Sequence, residues 1–169
     1  MGPVAITSEP DRPVPRKEVP RQTARILVVD DIEDNRDLLV RRLRREGYHD
    51  TQVAADGEQA LRLIEAHQFD LVLLDIMMPV CNGYEVLERL RAANRLHELP
   101  VIVISAHTEL DSAVRCIELG AVDYLPKPFN PTLLRARVLS TLEKKALSDL
   151  TRDELDALKV LDEWKRKFA

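Results

Sequence analysis

The sequence predicts an α/β protein: a doubly wound parallel sheet of five strands with helices on both faces. Two observations carry that prediction. Short aliphatic runs such as "RILVV", "LVLL" and "VIVIS" recur along the chain, and near-continuous apolar runs of this kind suit strands covered on both sides. Between them lie segments with apolar residues at helical spacing, long enough to serve as crossovers between parallel strands. Right-handed crossovers then bring every strand's C-terminal end to one edge of the sheet.

The elements follow in order. "RILVVD" (25–30) is the first strand, and "EDNRDLLVRRLRREG" (33–47) a helix built on Leu38, Leu39 and Leu43 and stopped by Gly47. "DTQVAA" (50–55) is a weaker strand. "DGEQALRLIEAH" (56–67) is a helix opened by Asp56 and buried along Ala60, Leu61 and Ile64. "DLVLLDIMMPVCNGYE" (70–85) supplies the third strand and the turn at Asn82-Gly83, and "GYEVLERLRAAN" (83–94) its helix. "LPVIVISA" (99–106) is the fourth strand, followed by a helix over Leu110, Val114, Ile117 and Leu119 that Gly120 ends. "AVDYLPKP" (121–128) is the fifth strand, and Pro131 is placed to start the fifth helix.

The texture shifts at both ends. Half of the ten prolines fall within the first 22 residues, so 1–24 is expected to be a disordered or extended arm. After Lys145, "TRDE" (151–154) matches a capping box. The helix expected beyond it carries Leu155, Leu158, Leu161, Trp164 and Phe168 along one side. Such a stripe either packs back on the domain or docks a partner or a second copy.

Composition bounds the function. Of 169 residues, 45% are hydrophobic and 32% charged, as in ordinary globular chains. The net charge of −4 argues against a basic, sequence-independent nucleic-acid face. No apolar run reaches the ~18 residues of a membrane span, and the N-terminus has no signal-peptide core. Cys81 and Cys116 have no metal-ligand or disulfide spacing, which fits reduced thiols in a cytoplasmic protein.

The chemistry gathers at the strand ends. The first strand finishes in Asp30-Asp31, the third in Asp75 and the fourth in Ser105, and Lys127 follows the fifth. Ligands of open parallel sheets bind beyond the carboxyl ends of the strands. Carboxylates gathered there repel one another, so a divalent cation with oxygen ligands and room for water, Mg²⁺ above all, is the natural partner. A hydroxyl at Ser105 and an ammonium at Lys127 on the same edge suit a phosphoryl group, with Asp75 as its nucleophile. Taken singly, each residue has an ordinary explanation: an acid after a strand caps a helix, and a lysine is a solvated charge. Their joint placement on four strands carries the reading.

The blocks "ILVVDD", "DLVLLDIMMPVCNGYEVLERLR", "PVIVISA" and "GAVDYLPKPF" resemble those of response-regulator receiver domains, in order, over about residues 25–146. The resemblance implies the flavodoxin-like strand order 2-1-3-4-5, with an extra C-terminal helix or linker in 147–169. It also implies that Asp75 accepts a phosphoryl group from a histidine kinase or histidine phosphotransfer protein. Asp31 and Asp75 would ligate Mg²⁺, with Asp30 acting through water and Met77 contributing its backbone carbonyl. Lys127 would bind the phosphoryl oxygens, ahead of a cis bond to Pro128. Ser105 would be the switch hydroxyl and Tyr124 the aromatic switch. Phosphorylation would then alter the surface of the helix at 109–119, the strand at 121–125 and the fifth helix. Dimerisation is expected through that face or the C-terminal helix, with no direct DNA binding and no membrane. Too few residues follow the receiver for a DNA-binding winged helix or a cyclase, so a stand-alone receiver or a fragment without its output domain is expected. Two positions that modulate phosphate lifetime in such domains hold Met77 and His107, neither a carboxylate nor an amide, so slow self-dephosphorylation is expected.

A signalling module with no external substrate is therefore the leading expectation. A degenerate receiver serving as a scaffold would have lost an acid or the lysine, and none is lost. Phosphatases of the haloacid dehalogenase type need an acid where Met77 stands. Flavodoxins need a phosphate loop rich in Ser, Thr and Gly where this chain has "DDIEDN".

Overall fold

The computed structural model describes residues 23–107 and 109–168. The proline-rich segment expected to be an extended arm lies outside them, apart from its last two residues. Five strands, β1 (Arg25–Val29), β2 (Asp50–Ala54), β3 (Leu71–Leu74), β4 (Val101–Ser105) and β5 (Asp123–Pro126), form one parallel sheet in the order β2-β1-β3-β4-β5. The helices are α1 (Glu33–Arg45), α2 (Gly57–Ala66), α3 (Gly83–Ala92), α4 (Leu110–Glu118) and α5 (Pro131–Phe168). The fold class and strand order are those expected.

Strand alternation divides the core in two. Leu27, Val29, Val72, Leu74, Val101 and Val103 face α2 and α3 through Ala60, Ile64, Val86, Leu87 and Leu90. Ile26, Val28, Leu71, Leu73, Ile102 and Ile104 face α1 and α5 through Leu39, Leu43, Leu134, Val138 and Leu142. Both faces of β1, β3 and β4 are thus apolar, which is why those strands read as unbroken aliphatic runs. The chain leaves β1 toward β2 and returns to the other side of β1 as β3. This reversal opens a crevice at the C-terminal ends of β1 and β3.

Two helices sit differently from their expected register. In α1 it is Leu39 and Leu43 that bury, while Leu38 is turned out. In α4 the sheet-facing side is made of the small residues Ser112, Ala113 and Cys116, with Leu119 just past its end packed against the core. Leu110, Val114 and Ile117 consequently lie exposed. Helix periodicity alone could not say which of two adjacent apolar rows faces the sheet.

The C-terminal expectation changes most. The extra helix is not a separate element: α5 runs unbroken for 38 residues, about 57 Å at 1.5 Å per residue. Asn130 caps its start, its Oδ1 accepting from the Thr132 and Leu133 amides, and Pro131 follows as first helical residue. Thr151 is therefore no N-cap. Its hydroxyl donates to the Leu147 carbonyl one turn back, 3.1 Å away, inside the helix. Nor does the distal stripe pack on the domain, since every residue from 151 to 168 is exposed.

The two halves of α5 should respond differently to truncation. Leu134→Ala, in the core, is expected to cost about 3 kcal/mol. Val160→Ala, on the projecting half, should stay within about 0.5 kcal/mol. Urea denaturation of the two variants measures both.

Candidate functional site

The crevice at the β1/β3 switch point collects the acids. Carboxylate oxygens of Asp30, Asp31 and Asp75 lie within 4.8 Å of one another. Asp30 and Asp75 are buried and Asp31 is exposed. Asp30 also does what an acid after a strand commonly does: its Oδ1 accepts from the Ile32 amide at 3.0 Å and the Asn35 side-chain amide at 3.4 Å, closing the turn into α1. Arg36 reaches back to donate to the Asp30 carbonyl at 2.8 Å. The acid is thus fixed in place by its own helix start.

Lys127 crosses the crevice from the far side of the sheet. Its Nζ lies 2.6 Å from Asp30 Oδ2 and 3.5 Å from Asp75 Oδ2, and its side chain is only 20% exposed. The Lys127–Pro128 peptide is cis, as expected, and the Lys127 amide donates to the Ser105 carbonyl at 2.8 Å. One ammonium therefore stands against three carboxylates. Burial pushes the Asp75 carboxyl above its ordinary range. Lys127 pulls it down, Asp30 and Asp31 push it up, and the Ile76 amide, donating to Oδ1 at 2.8 Å, lowers it. Desolvation is the largest of these, so an ionised Asp75 is held under electrostatic load.

Gly83 fixes how close α3 comes. A Cβ there would sit 2.5 Å from the Asp75 carbonyl oxygen, and its amide donates to the Ile76 carbonyl at 2.8 Å. Asn82 caps α3 in a reciprocal box with Glu85. The Asn82-Gly83 pair in the sequence is thus a cap and a contact point, not only a turn.

The remaining expected residues lie on β4 and β5 and in the β3–α3 loop. Ser105 is fully buried, its hydroxyl accepting from the His107 amide at 3.2 Å. Tyr124 on β5 points its hydroxyl at the His107 carbonyl and donates to it. Burial raises the Tyr124 pKa, so the phenol stays protonated as donor. Both switch candidates thus hold one residue, His107. Met77 lies in the loop two residues past Asp75, its side chain exposed. Cys81 is buried, and burial lifts its thiol to about 11, which leaves it no thiolate for redox sensing at neutral pH.

Two partly desolvated carboxylates and one exposed one, each offering oxygen at a common point, fit a hard divalent ion that keeps part of its water shell. Asp30, Asp31 and Asp75 are the residues that would hold it. Asn35, Arg36 and Gly83, which position these acids, carried no functional signal in the sequence.

An open α/β sheet with this acidic crevice, a cross-strand lysine and a buried hydroxyl defines a receiver. The chain belongs to that family: the sequence profile of the response regulator receiver domain matches residues 26–139. It is 38% identical to the alkaline phosphatase synthesis transcriptional regulatory protein PhoP of Bacillus subtilis, over 83% of this chain and 59% of that protein. With the transcriptional regulatory protein CpxR of Escherichia coli it shares 45% identity, over 74% of this chain and 52% of that one. Among solved structures it resembles a CheY-like receiver domain protein from Methanospirillum hungatei (TM-score 0.68, 30% identity, 74% of this chain and 98% of that one). It also resembles the response regulator TrrA from Thermotoga maritima in complex with Mg²⁺ and BeF (TM-score 0.63, 35% identity, 70% and 98%).

The chain spans roughly half to three fifths of the length of the curated relatives it matches. Their names overturn one expectation, that of no direct DNA binding: they are transcriptional regulators. The acidic balance behind that expectation describes this chain alone, which spans only part of such proteins. Among the described residues no helix is long and apolar enough to cross a membrane.

The load on Asp75 has a sign that can be measured. Its folded pKa is raised, so its contribution to stability is fully present below the unfolded pKa near 4 and is lost as pH rises through the folded value. Without added metal, Asp75→Asn should therefore melt above the wild type at pH 7, with the gap closing toward pH 4. Mg²⁺ should raise the wild-type melting temperature and leave the variant's nearly unchanged. Calorimetry across pH, with and without Mg²⁺, checks both.

Proposed function

We propose that this chain is a phosphorylation-operated receiver in which Asp75 takes a phosphoryl group from a histidine kinase or histidine phosphotransfer protein with Mg²⁺ bound. The observation that carries the reading is the joint geometry of the edge: three acids within 4.8 Å and a lysine shared between Asp30 and Asp75. Mg²⁺ bound by these acids supplies positive charge to the transferring phosphoryl oxygens. An Asp75 carboxylate oxygen attacks phosphorus, the bond from phosphorus to the donor's histidine nitrogen breaks, and the electron pair leaves with that nitrogen. Lys127, now held mainly by Asp30, turns to the phosphoryl oxygens as a point charge.

The switch follows from the hydrogen bonds at His107. For the Ser105 hydroxyl to reach a phosphoryl oxygen it must leave the His107 amide, and the carbonyl of that same residue holds Tyr124. The phosphoryl group brings about two negative charges in place of the one on the Asp75 carboxylate, with new acceptor oxygens at the edge, so the arrangement in which Ser105 turns inward gains weight. The surface linked to it carries exposed Leu110, Val114, Ile117 and Val122 on α4 and just after it, apolar enough to bind a partner or an output domain. The relatives' names favour transcriptional control as the output of the protein to which this receiver belongs, and a cytoplasmic location is part of the same proposal. Scaffolding without phosphorylation finds no support in an edge that keeps all three acids and the lysine.

Intact mass after incubation with acetyl phosphate tests the reading. A single phosphoryl adduct is expected with Mg²⁺, none in its absence, and none in Asp75→Asn. No adduct in the wild type would overturn the proposal. With Met77 and His107 at the modulating positions, the adduct should outlast transfer into Mg²⁺ buffer by far more than seconds; decay within seconds would contradict slow self-dephosphorylation.

A further inference from the structure

Arg36 stands beside the acidic crevice and pairs with none of its acids. The guanidinium of this half-buried residue of α1 donates instead to the backbone carbonyl of Asp30 at 2.8 Å, and among the described residues it is paired with no carboxylate. The crevice holds three carboxylates against the single ammonium of Lys127, so its place is not set by salt-bridge formation. What the contact holds is the peptide that joins Asp30 to Asp31.

Asp31 is the acid that needs such a hold. The Asp30 carboxylate is fixed by the Ile32 amide at 3.0 Å, the Asn35 side chain at 3.4 Å and Lys127 at 2.6 Å. Asp75 takes the Ile76 amide at 2.8 Å. The Asp31 carboxylate is exposed and makes no hydrogen bond or ion pair of its own among the described residues. Its direction is therefore set by the two peptides that flank it. Arg36 grips the one before it at the carbonyl, and the Asp30 carboxylate grips the one after it at the amide. Arg36 is itself anchored in the first turn of α1, where its amide donates to the Ile32 carbonyl at 3.1 Å. That turn has no capping side chain at Ile32, so Asn35 and Arg36, both reaching back to Asp30, tie the helix to the strand end.

We propose that Arg36 is a positioning residue for the divalent cation: by fixing the Asp30–Asp31 peptide it keeps the Asp31 carboxylate turned into the crevice, and so raises the affinity for Mg²⁺ without touching the ion or the phosphoryl group. The inference rests on the Mg²⁺-dependent reading given above. Positioning and charge predict opposite signs. As a positive charge near the site, Arg36 repels a cation, so on Coulomb's law alone its removal tightens Mg²⁺ binding. As a positioning group it does the reverse, because losing a group that orients metal ligands costs affinity.

Isothermal titration of the whole chain with MgCl₂ at fixed ionic strength tests it, on the wild type, Arg36→Met, Arg36→Gln, Arg36→Lys and Arg41→Met. Methionine keeps the apolar stem and removes donor and charge, and it should weaken Mg²⁺ binding about tenfold. Arg36→Gln, shorter and neutral, should match it independently of how methionine packs. Lysine keeps a charged donor and should recover most of the affinity. Arg41→Met removes the same charge from an exposed position further along α1 and should leave binding within about twofold. Thermal melting without metal verifies that each variant is folded. With acetyl phosphate, Arg36→Met should need about ten times more Mg²⁺ for half-maximal phosphorylation, yet reach the wild-type rate at saturation, because Arg36 meets no reacting atom. Mg²⁺ binding by Arg36→Met as tight as the wild type's, or tighter, would overturn the inference and leave the metal site standing. A rate that stays low at saturating Mg²⁺ would assign Arg36 to the phosphoryl transfer itself and overturn it equally. A wild type that binds no Mg²⁺ would overturn the reading of the site, and this role for Arg36 with it.

Discussion

The repulsion among three carboxylates at one edge of the sheet is the constraint around which this molecule is arranged. Asp30 and Asp75 are buried, and a buried ionised acid without a counter-charge is strongly disfavoured. Lys127 supplies one positive charge, at 2.6 Å from Asp30 and 3.5 Å from Asp75, which leaves the crevice net negative and short of a cation. Such a site is held together by its backbone. Strand pairing fixes the ends of β1 and β3, the start of α1 holds Asp30, and the close approach of α3 at Gly83 holds the Asp75 carbonyl. The rigid apolar sheet beneath is what allows charges of one sign to be kept within 4.8 Å.

That load is useful because it is conditional. On the proposed reading, a divalent ion or a phosphoryl group at the edge would change which side chain Lys127 favours and what Ser105 can reach. The hydroxyls of Ser105 and Tyr124 bind opposite groups of the same peptide region at His107, so a shift at one bears on the other. The coupling is short, running from the strand end to the adjacent strand through one residue. It opens onto α4, whose small inward residues leave its larger aliphatic side chains outside.

The long α5 joins two regimes. Its first three turns belong to the core through Leu134, Val138 and Leu142. Lys145 and Arg152 then tether it to Asp70 and Glu98 at the bottom of the sheet, away from the acidic edge. Beyond them every described residue of the helix, its apolar row included, is exposed. The acidic edge and the projecting helix are thus independent features on opposite ends of one scaffold.

By itself the sequence determined the alternation of strands and helices, the sheet's burial on both faces and the identity of the edge residues, because period, turn chemistry and strand-end carboxylates are local properties. Strand order was legible only through resemblance to receivers, since alternation fixes crossovers but not the side on which each strand adds. Tertiary structure decided what depends on neighbours distant in the chain. It turned Leu38 and Ile117 outward, because adjacent apolar rows on a helix are equivalent until a sheet selects one. It ran α5 straight through Thr151, where a capping pattern lost to helix continuation with the hydroxyl satisfied one turn back. And it gave Lys127 to Asp30 and His107 to the hydroxyls of both Ser105 and Tyr124, contacts that leave no trace in local spacing.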